Sequence, residues 1–199
     1  MNRSYITAVN PLFILVIGCF CLLFVASASQ ASNSVIEESY EDAVIRTAKK
    51  GDPQSQFALA LIHEYGTDTI KRDPDQSIVW LKKASQGDVA AACLYLGMKY
   101  EYGNRVKEDI KKAACLYRCA ACKGWAPAQH FLAGLYEKGK GIRRSNFLAL
   151  AWFGLAAEND YPGAAENFSR LRAKVKPKDL EKVIKKQKKL MSQIGTACI

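Results

Sequence analysis

Histidine is scarce in these 199 residues, which hold only His63 and His130. There is no H-E-x-x-H pair, no G-x-S-x-G elbow and no glycine-rich phosphate loop, so the common metalloprotease, serine-hydrolase and nucleotide-binding signatures are excluded. Long alternating runs of Val, Ile and Thr are also missing. With six prolines, that argues against a β protein. The strongly basic C-terminal segment contains no aromatic side chain, so it has no platform on which bases could stack, and nucleic acid is not an expected partner. The longest apolar run, from Leu12 to about Ala26, is shorter than the roughly 20 residues a spanning helix needs.

What is present points to helices. Alanine, leucine and lysine dominate, and all three are good helix formers. The net charge of +10 is unevenly distributed: residues 170–199 carry ten basic and two acidic side chains, whereas residues 4–169 are close to neutral. The chain therefore reads as a neutral body with a basic tail. Its N-terminus has Arg3, then the apolar run, then Ala26-Ser27-Ala28. This is the pattern of a secretory signal peptide over residues 1–28. Two alternatives are an uncleaved membrane anchor and a lipoprotein modified at Cys19, which ends Val16-Ile17-Gly18-Cys19. Export predicts a periplasmic or secreted protein in an oxidising compartment.

Three segments repeat. "QFALALIHEYG" begins at Gln56, "CLYLGMKYEYG" at Cys93 and "QHFLAGLYEKG" at Gln129, spacings of 37 and 36 residues. A small residue follows a leucine in each (Ala60, Gly97, Ala133), and a glutamate precedes a closing glycine (Glu64/Gly66, Glu101/Gly103, Glu137/Gly139). The second halves also match. Asp73, Asp109 and Ser145 share a column suited to N-caps; Leu81, Tyr117 and Phe153 share another, and Ala84, Ala120 and Ala156 a third. The spacing within each half is near 3.6, so each repeat predicts two helices. One pair cannot bury its apolar face alone, so the pairs must stack.

"YLGMKYEYGNRVKEDIKKAACLYRCAACKGWAPAQ" resembles a Sel1-like repeat, a relative of the tetratricopeptide repeat with a period of 36–37 residues. The resemblance implies an all-α, right-handed solenoid of helix-turn-helix repeats. It gives a capping helix at 36–50 and a solenoid at 53–173, with repeats at about 53–88, 89–125 and 126–161 and a partial one at 162–173. A basic capping helix and tail follow at 174–199. Two loops depart from the family pattern: the first, "YGTDTIKRD", lacks a second glycine, and Arg105 replaces that glycine in the second.

The candidate chemistry lies in three places. His63 shares a column with Tyr100 and Tyr136, and His130 with Phe57 and Leu94, so both rings are expected to be packed rather than catalytic. The glutamate column is expected to supply hydrogen bonds between repeats. Five cysteines follow the signal segment: Cys93, Cys115, Cys119, Cys122 and Cys198. Five is odd, so at least one lacks a partner within a monomer. Cys115, Cys119 and Cys122 stand at i, i+4 and i+7 on one helix face, beside the expected packed stripe. Three ligands on one helix are an incomplete zinc set, so no metal or other cofactor is assigned. Free or packed thiols and a disulfide through one of them both stay open. Cysteine-rich members of the family staple consecutive helices through cysteines eight apart; here Ser85 and Gln129 stand where such partners would be, so that staple is not reproduced.

The resemblance implies a scaffold or adaptor, not an enzyme, with no catalytic residue assigned. The expectation is an exported module that holds a partner protein on the concave face lined by first helices, with Tyr95, Lys99 and Phe131 as candidates. A β-lactamase-like or peptidoglycan-fragment-binding role, reported in cysteine-rich relatives, is one alternative. The other is contact with an anionic envelope or membrane surface through Lys182, Lys185, Lys186 and Lys189 on the final helix.

Overall fold

The computed structural model describes residues 39–193; the signal segment, Cys19, Ile194 and Cys198 lie outside them. Those residues contain nine helices: α1 (Tyr40–Lys49), α2 (Pro53–Tyr65), α3 (Pro74–Gln86), α4 (Ala90–Tyr102), α5 (Ile110–Ala121), α6 (Ala126–Lys138), α7 (Asn146–Glu158), α8 (Ala164–Arg172) and α9 (Pro177–Gln193). Each of α2 to α8 packs on the helix before it, and α9 folds back onto α7. The fold is an all-α repeat solenoid.

Short side chains start the helices. The Asp73 carboxylate accepts from the backbone N–H groups of Asp75 and Gln76 at 3.1 Å, Asp109 from Lys112 at 3.0 Å, and Ser145 from Leu148 at 3.2 Å. Each satisfies donors the first helical turn leaves free. Pro53 and Pro74 open their helices, where a missing N–H costs nothing.

Two backbone bonds recur in every repeat. The cap residue donates to the first helix of its pair: Asp73 to the His63 carbonyl, Asp109 to Tyr100 and Ser145 to Tyr136, at 2.8–3.0 Å. The carbonyls of Ala84, Ala120 and Ala156 accept from Val89, Trp125 and Tyr161. These three alanines are fully buried, so the chain turns where a larger side chain would separate the helices. Between His63 and Asp73 the first loop holds one more residue than its counterparts, which accounts for the change of period from 37 to 36.

The loop lacking its second glycine keeps its path. Arg105 adopts φ 60°, close to the 67° of Gly141 in the next repeat. An L-residue in this region is strained by about 1–2 kcal/mol.

Helix α7, "NFLALAWFGLAAE", is buried along eight consecutive residues from Ala149 to Ala156. It is enclosed by α6, α8 and α9, so apolar residues are needed all round it. Val183 and Leu190 of α9 are buried in this core, while Ile184 stays exposed.

Candidate functional site

The first helices of the three repeats line one cavity of about 500 Å³. Helix α2 contributes Glu64 and Tyr65, α4 contributes Tyr95, Lys99 and Tyr102, and α6 contributes Phe131. The three residues singled out in the sequence, Tyr95, Lys99 and Phe131, thus border the same space. Tyr95 packs edge-on against Phe57 at 5.6 Å between ring centroids, and Phe131 stacks on Tyr117 at 5.5 Å. Both are anchored aromatics that cross from one repeat to the next.

Lys99 is not a free hand. Its ammonium lies 2.7 Å from the Glu64 carboxylate, and both side chains are largely buried. The bond joins α4 to α2 and leaves that part of the cavity close to neutral. The other Glu64 oxygen is buried and has no protein partner; aromatic and aliphatic side chains make up most of the remaining lining.

Sequence columns did not single out Tyr65 and Tyr102. These are among the most exposed large apolar side chains of the described residues, at 69 % and 66 %, and both border the cavity. Their signal was the identical tripeptide Glu-Tyr-Gly at the ends of α2 and α4.

The glutamate column has three different partners. Glu64 accepts from Lys99, Glu101 accepts from the Tyr117 hydroxyl at 2.6 Å, and Glu137 takes a two-pronged bond from Arg170 at 2.7 and 2.9 Å. The first links two repeats and the third reaches α8, but the second stays inside its own repeat. The Arg170 bond holds the Glu137 carboxyl below its ordinary value. Burial, then the Glu101 bond, pushes the Tyr117 phenol up.

His130 sits among Phe153, Tyr161 and Phe131, with ring centroids 4.9–6.0 Å away. Burial lowers its pKa, so the ring is neutral near pH 7. His63 is half-buried in the first helix of its repeat.

A second column closes the joints between consecutive pairs. Gln56 donates to the Ala48 carbonyl, Gln129 to Ala121, and the Cys93 thiol to Ser85 at 3.8 Å. Each bond spans eight residues, the place of the disulfide staple in cysteine-rich relatives.

The three cysteines of α5 and its C-cap do not share an environment. Cys115 is exposed, Cys119 is half-buried against the core that contains Cys93, and Cys122 is buried and disulfide-bonded. Its disulfide partner is none of Cys93, Cys115 and Cys119, which are free. Cys115 therefore lies outside the packing and Cys122 within it. Cys122 falls at the C-cap of α5, where the chain turns inward. On α9, Lys182, Lys185 and Lys189 are exposed and Lys186 is half-buried; Lys182 also bonds Asp179 at 3.0 Å. Among the described residues, no three His, Cys, Asp or Glu side chains converge on a metal-sized site, and no helix is long and apolar enough to cross a membrane.

Comparison with known proteins agrees with this geometry. Chitin synthase regulatory factor 3 of Schizosaccharomyces pombe is 29% identical over 121 residues, covering 60% of this chain and 13% of that protein. Chitin synthase regulator SKT5 of Saccharomyces cerevisiae is 31% identical over 154 residues, covering 76% of this chain and 21% of its own. The chain thus spans about a fifth or less of either regulator's length. The crystal structure of a Sel1 repeat protein from Oxalobacter formigenes superposes with a TM-score of 0.61 at 30% identity, over 64% of this chain and 96% of that one. Sel1 repeats generally mediate protein–protein interactions and are generally non-catalytic. The family model for the Sel1 repeat matches residues 53–89, 90–125 and 126–161, and the chain belongs to the Sel1 repeat family.

Proposed function

We propose that this protein is an exported scaffold that holds a segment of a partner protein along the groove of its first helices. The observation that carries the reading is the exposure of Tyr65 and Tyr102 beside a cavity whose one ion pair is neutralised. Exposed tyrosines over a preformed groove supply large contact area at little entropic cost, and such residues dominate interface energetics. The Glu64–Lys99 pair disfavours a strongly charged ligand. The two yeast relatives, named as regulators of an enzyme, support a scaffold that acts on other proteins. Hydrolysis finds less support: within the groove, the carboxylate of Glu64 and the amine of Lys99 are bonded to each other.

Export is supported by the predicted signal segment, and a disulfide at Cys122 fits an oxidising compartment. Sequencing the N-terminus of the native protein is expected to read from Ser29. For the groove, the test is capture of crosslinked partners from envelope extracts by wild type and by the Tyr65→Ala/Tyr102→Ala double variant. A loss of about tenfold or more is expected, the effect of roughly 1.4 kcal/mol at an interface. Equal recovery of the same partners by a folded double variant would reject the groove as the docking surface.

A second reading has its own observation. The exposed lysines of α9 face away from Val183 and Leu190, which hold the helix on the core. This arrangement suits an anionic envelope surface, to which each lysine adds about 1 kcal/mol. Replacing Lys182, Lys185, Lys186 and Lys189 with Gln should abolish salt-sensitive binding to phosphatidylglycerol vesicles; unchanged binding removes this reading.

A further inference from the structure

On the second-helix side of the middle repeat, Lys82, Tyr100, Val106 and Lys107 line a cavity. Every residue lining it, moved along by 36 positions, lines a counterpart of about 560 Å³ between α5, α6 and the loop into α7. Tyr100 becomes Tyr136 and Val106 becomes Ile142, so the wall is kept. The charges are not. The first cavity sets three lysines against Glu108 and Asp109, and Asp109 already holds the Lys112 ammonium at 3.3 Å. In the second, Arg144 and Ser145 stand where those acids stood, and Arg118, Arg143 and Arg144 line the space with no carboxylate. Among the described residues, none of these three arginines has an acidic partner, whereas Arg105 and Arg170 each have one.

The site is held in place before any ligand arrives. The half-buried Arg118 guanidinium donates to the Tyr136 hydroxyl at 3.3 Å, which joins α5 to α6. The Ser145 N–H donates to the Tyr136 carbonyl at 2.9 Å, which joins the loop to α6. A Cβ on Gly139 would lie 2.9 Å from that of Arg144, so the loop carrying Arg144 is packed against the end of α6. No lining residue is shared with the groove of the first helices.

We propose that this cavity binds a phosphomonoester with an apolar or aromatic body. The planar donor fork of arginine matches a pair of phosphate oxygens. A phosphomonoester carries roughly two negative charges near pH 7 and three strong acceptor oxygens, so it can engage more than one fork. A carboxylate brings a single charge and fewer acceptors. Ile142, Leu148 and the Tyr136 ring line the rest of the cavity and supply a wall for the organic part. Free esters and lipid head groups share this chemistry.

The full-length protein is titrated calorimetrically with phenyl phosphate and with benzoate, which carries the same ring on a carboxylate. Phenyl phosphate is expected to bind saturably, and benzoate about tenfold more weakly for the loss of one charge-assisted hydrogen bond. Arg143 and Arg144 are exposed, so Arg143→Gln/Arg144→Gln leaves the packing intact. It should weaken phenyl phosphate by about tenfold or more, roughly 1.4 kcal/mol. Lys82→Gln/Lys107→Gln, the control in the middle repeat, should leave that affinity unchanged. Phosphatidylcholine vesicles containing phosphatidic acid separate the two sources. If the arginine variant also loses vesicle binding, the site takes a lipid head group; if it loses only phenyl phosphate, the site takes a free ester. Three results would each overturn the proposal: no saturable binding of phenyl phosphate to wild type, benzoate bound as tightly, or an arginine variant that binds no worse than the lysine variant.

Discussion

The middle repeat and its two neighbours share a skeleton but fill it differently. Where the neighbours have Ala60 and Ala133, the middle repeat has Gly97; a methyl there would lie 2.7 Å from the ring of buried Tyr117. Tyr117 in turn replaces the Leu81 and Phe153 of its column and adds a hydroxyl that bonds Glu101. Cys93 stands where Gln56 and Gln129 bridge to the preceding helix, and Arg105 bends where the third repeat uses Gly141. In the middle repeat the glycine makes room for the tyrosine ring, which a methyl at 97 would meet. The arginine retains a conformation at a cost. The difference shows that the repeat dictates backbone path and column volume, and leaves side-chain chemistry open wherever those two are met.

That comparison can be broken by exchange. Gly97→Ala should have the largest effect, a loss of about 1–3 kcal/mol from overpacking, read as a lower urea midpoint; a neutral outcome would mean that Tyr117 can move. Gln129→Ala should follow. It removes the side-chain donor to the buried Ala121 carbonyl, which keeps the Gly124 N–H, a loss of roughly 1 kcal/mol, while Cys93→Ala should lose less because a thiol is a weak donor. Arg105→Gly should work the other way and stabilise by about 0.5–1 kcal/mol, relieving a left-handed arginine. Its ion pair with Asp75 is 3.9 Å long and exposed, so little is lost with it.

The smallest effect concerns the closing repeat. Because the folded Glu137 carboxyl titrates below its ordinary value, its contribution is present above about pH 4.5 and vanishes as pH falls through the depressed value. Urea midpoints should therefore differ between wild type and Glu137→Gln at pH 7 and converge near pH 2. The difference at pH 7 will be modest, since Arg170 is largely solvated.

The helix pairs, the caps at Asp73, Asp109 and Ser145 and the buried alanine column were legible because each depends on local spacing or on a column repeated three times. The partners of the glutamates were less so. One column at one helix position meets Lys99, Tyr117 and Arg170 in turn, because the neighbouring helices carry different residues. Tyr65 and Tyr102 escaped because exposed positions carry no packing period. Periodicity sets the rotation of each helix about its own axis, but not how one helix fits against the next. The all-apolar α7 was legible as a buried helix only once α9 was seen to cover it.

The direct test of the central claim sets the two helices of the middle repeat against each other. A photo-crosslinking amino acid is placed at Tyr102 on α4, or at exposed Lys111 on α5, in protein made in its native source. The account predicts a discrete partner adduct from position 102 and none from position 111. An adduct from 111 alone would contradict a partner held by the first helices.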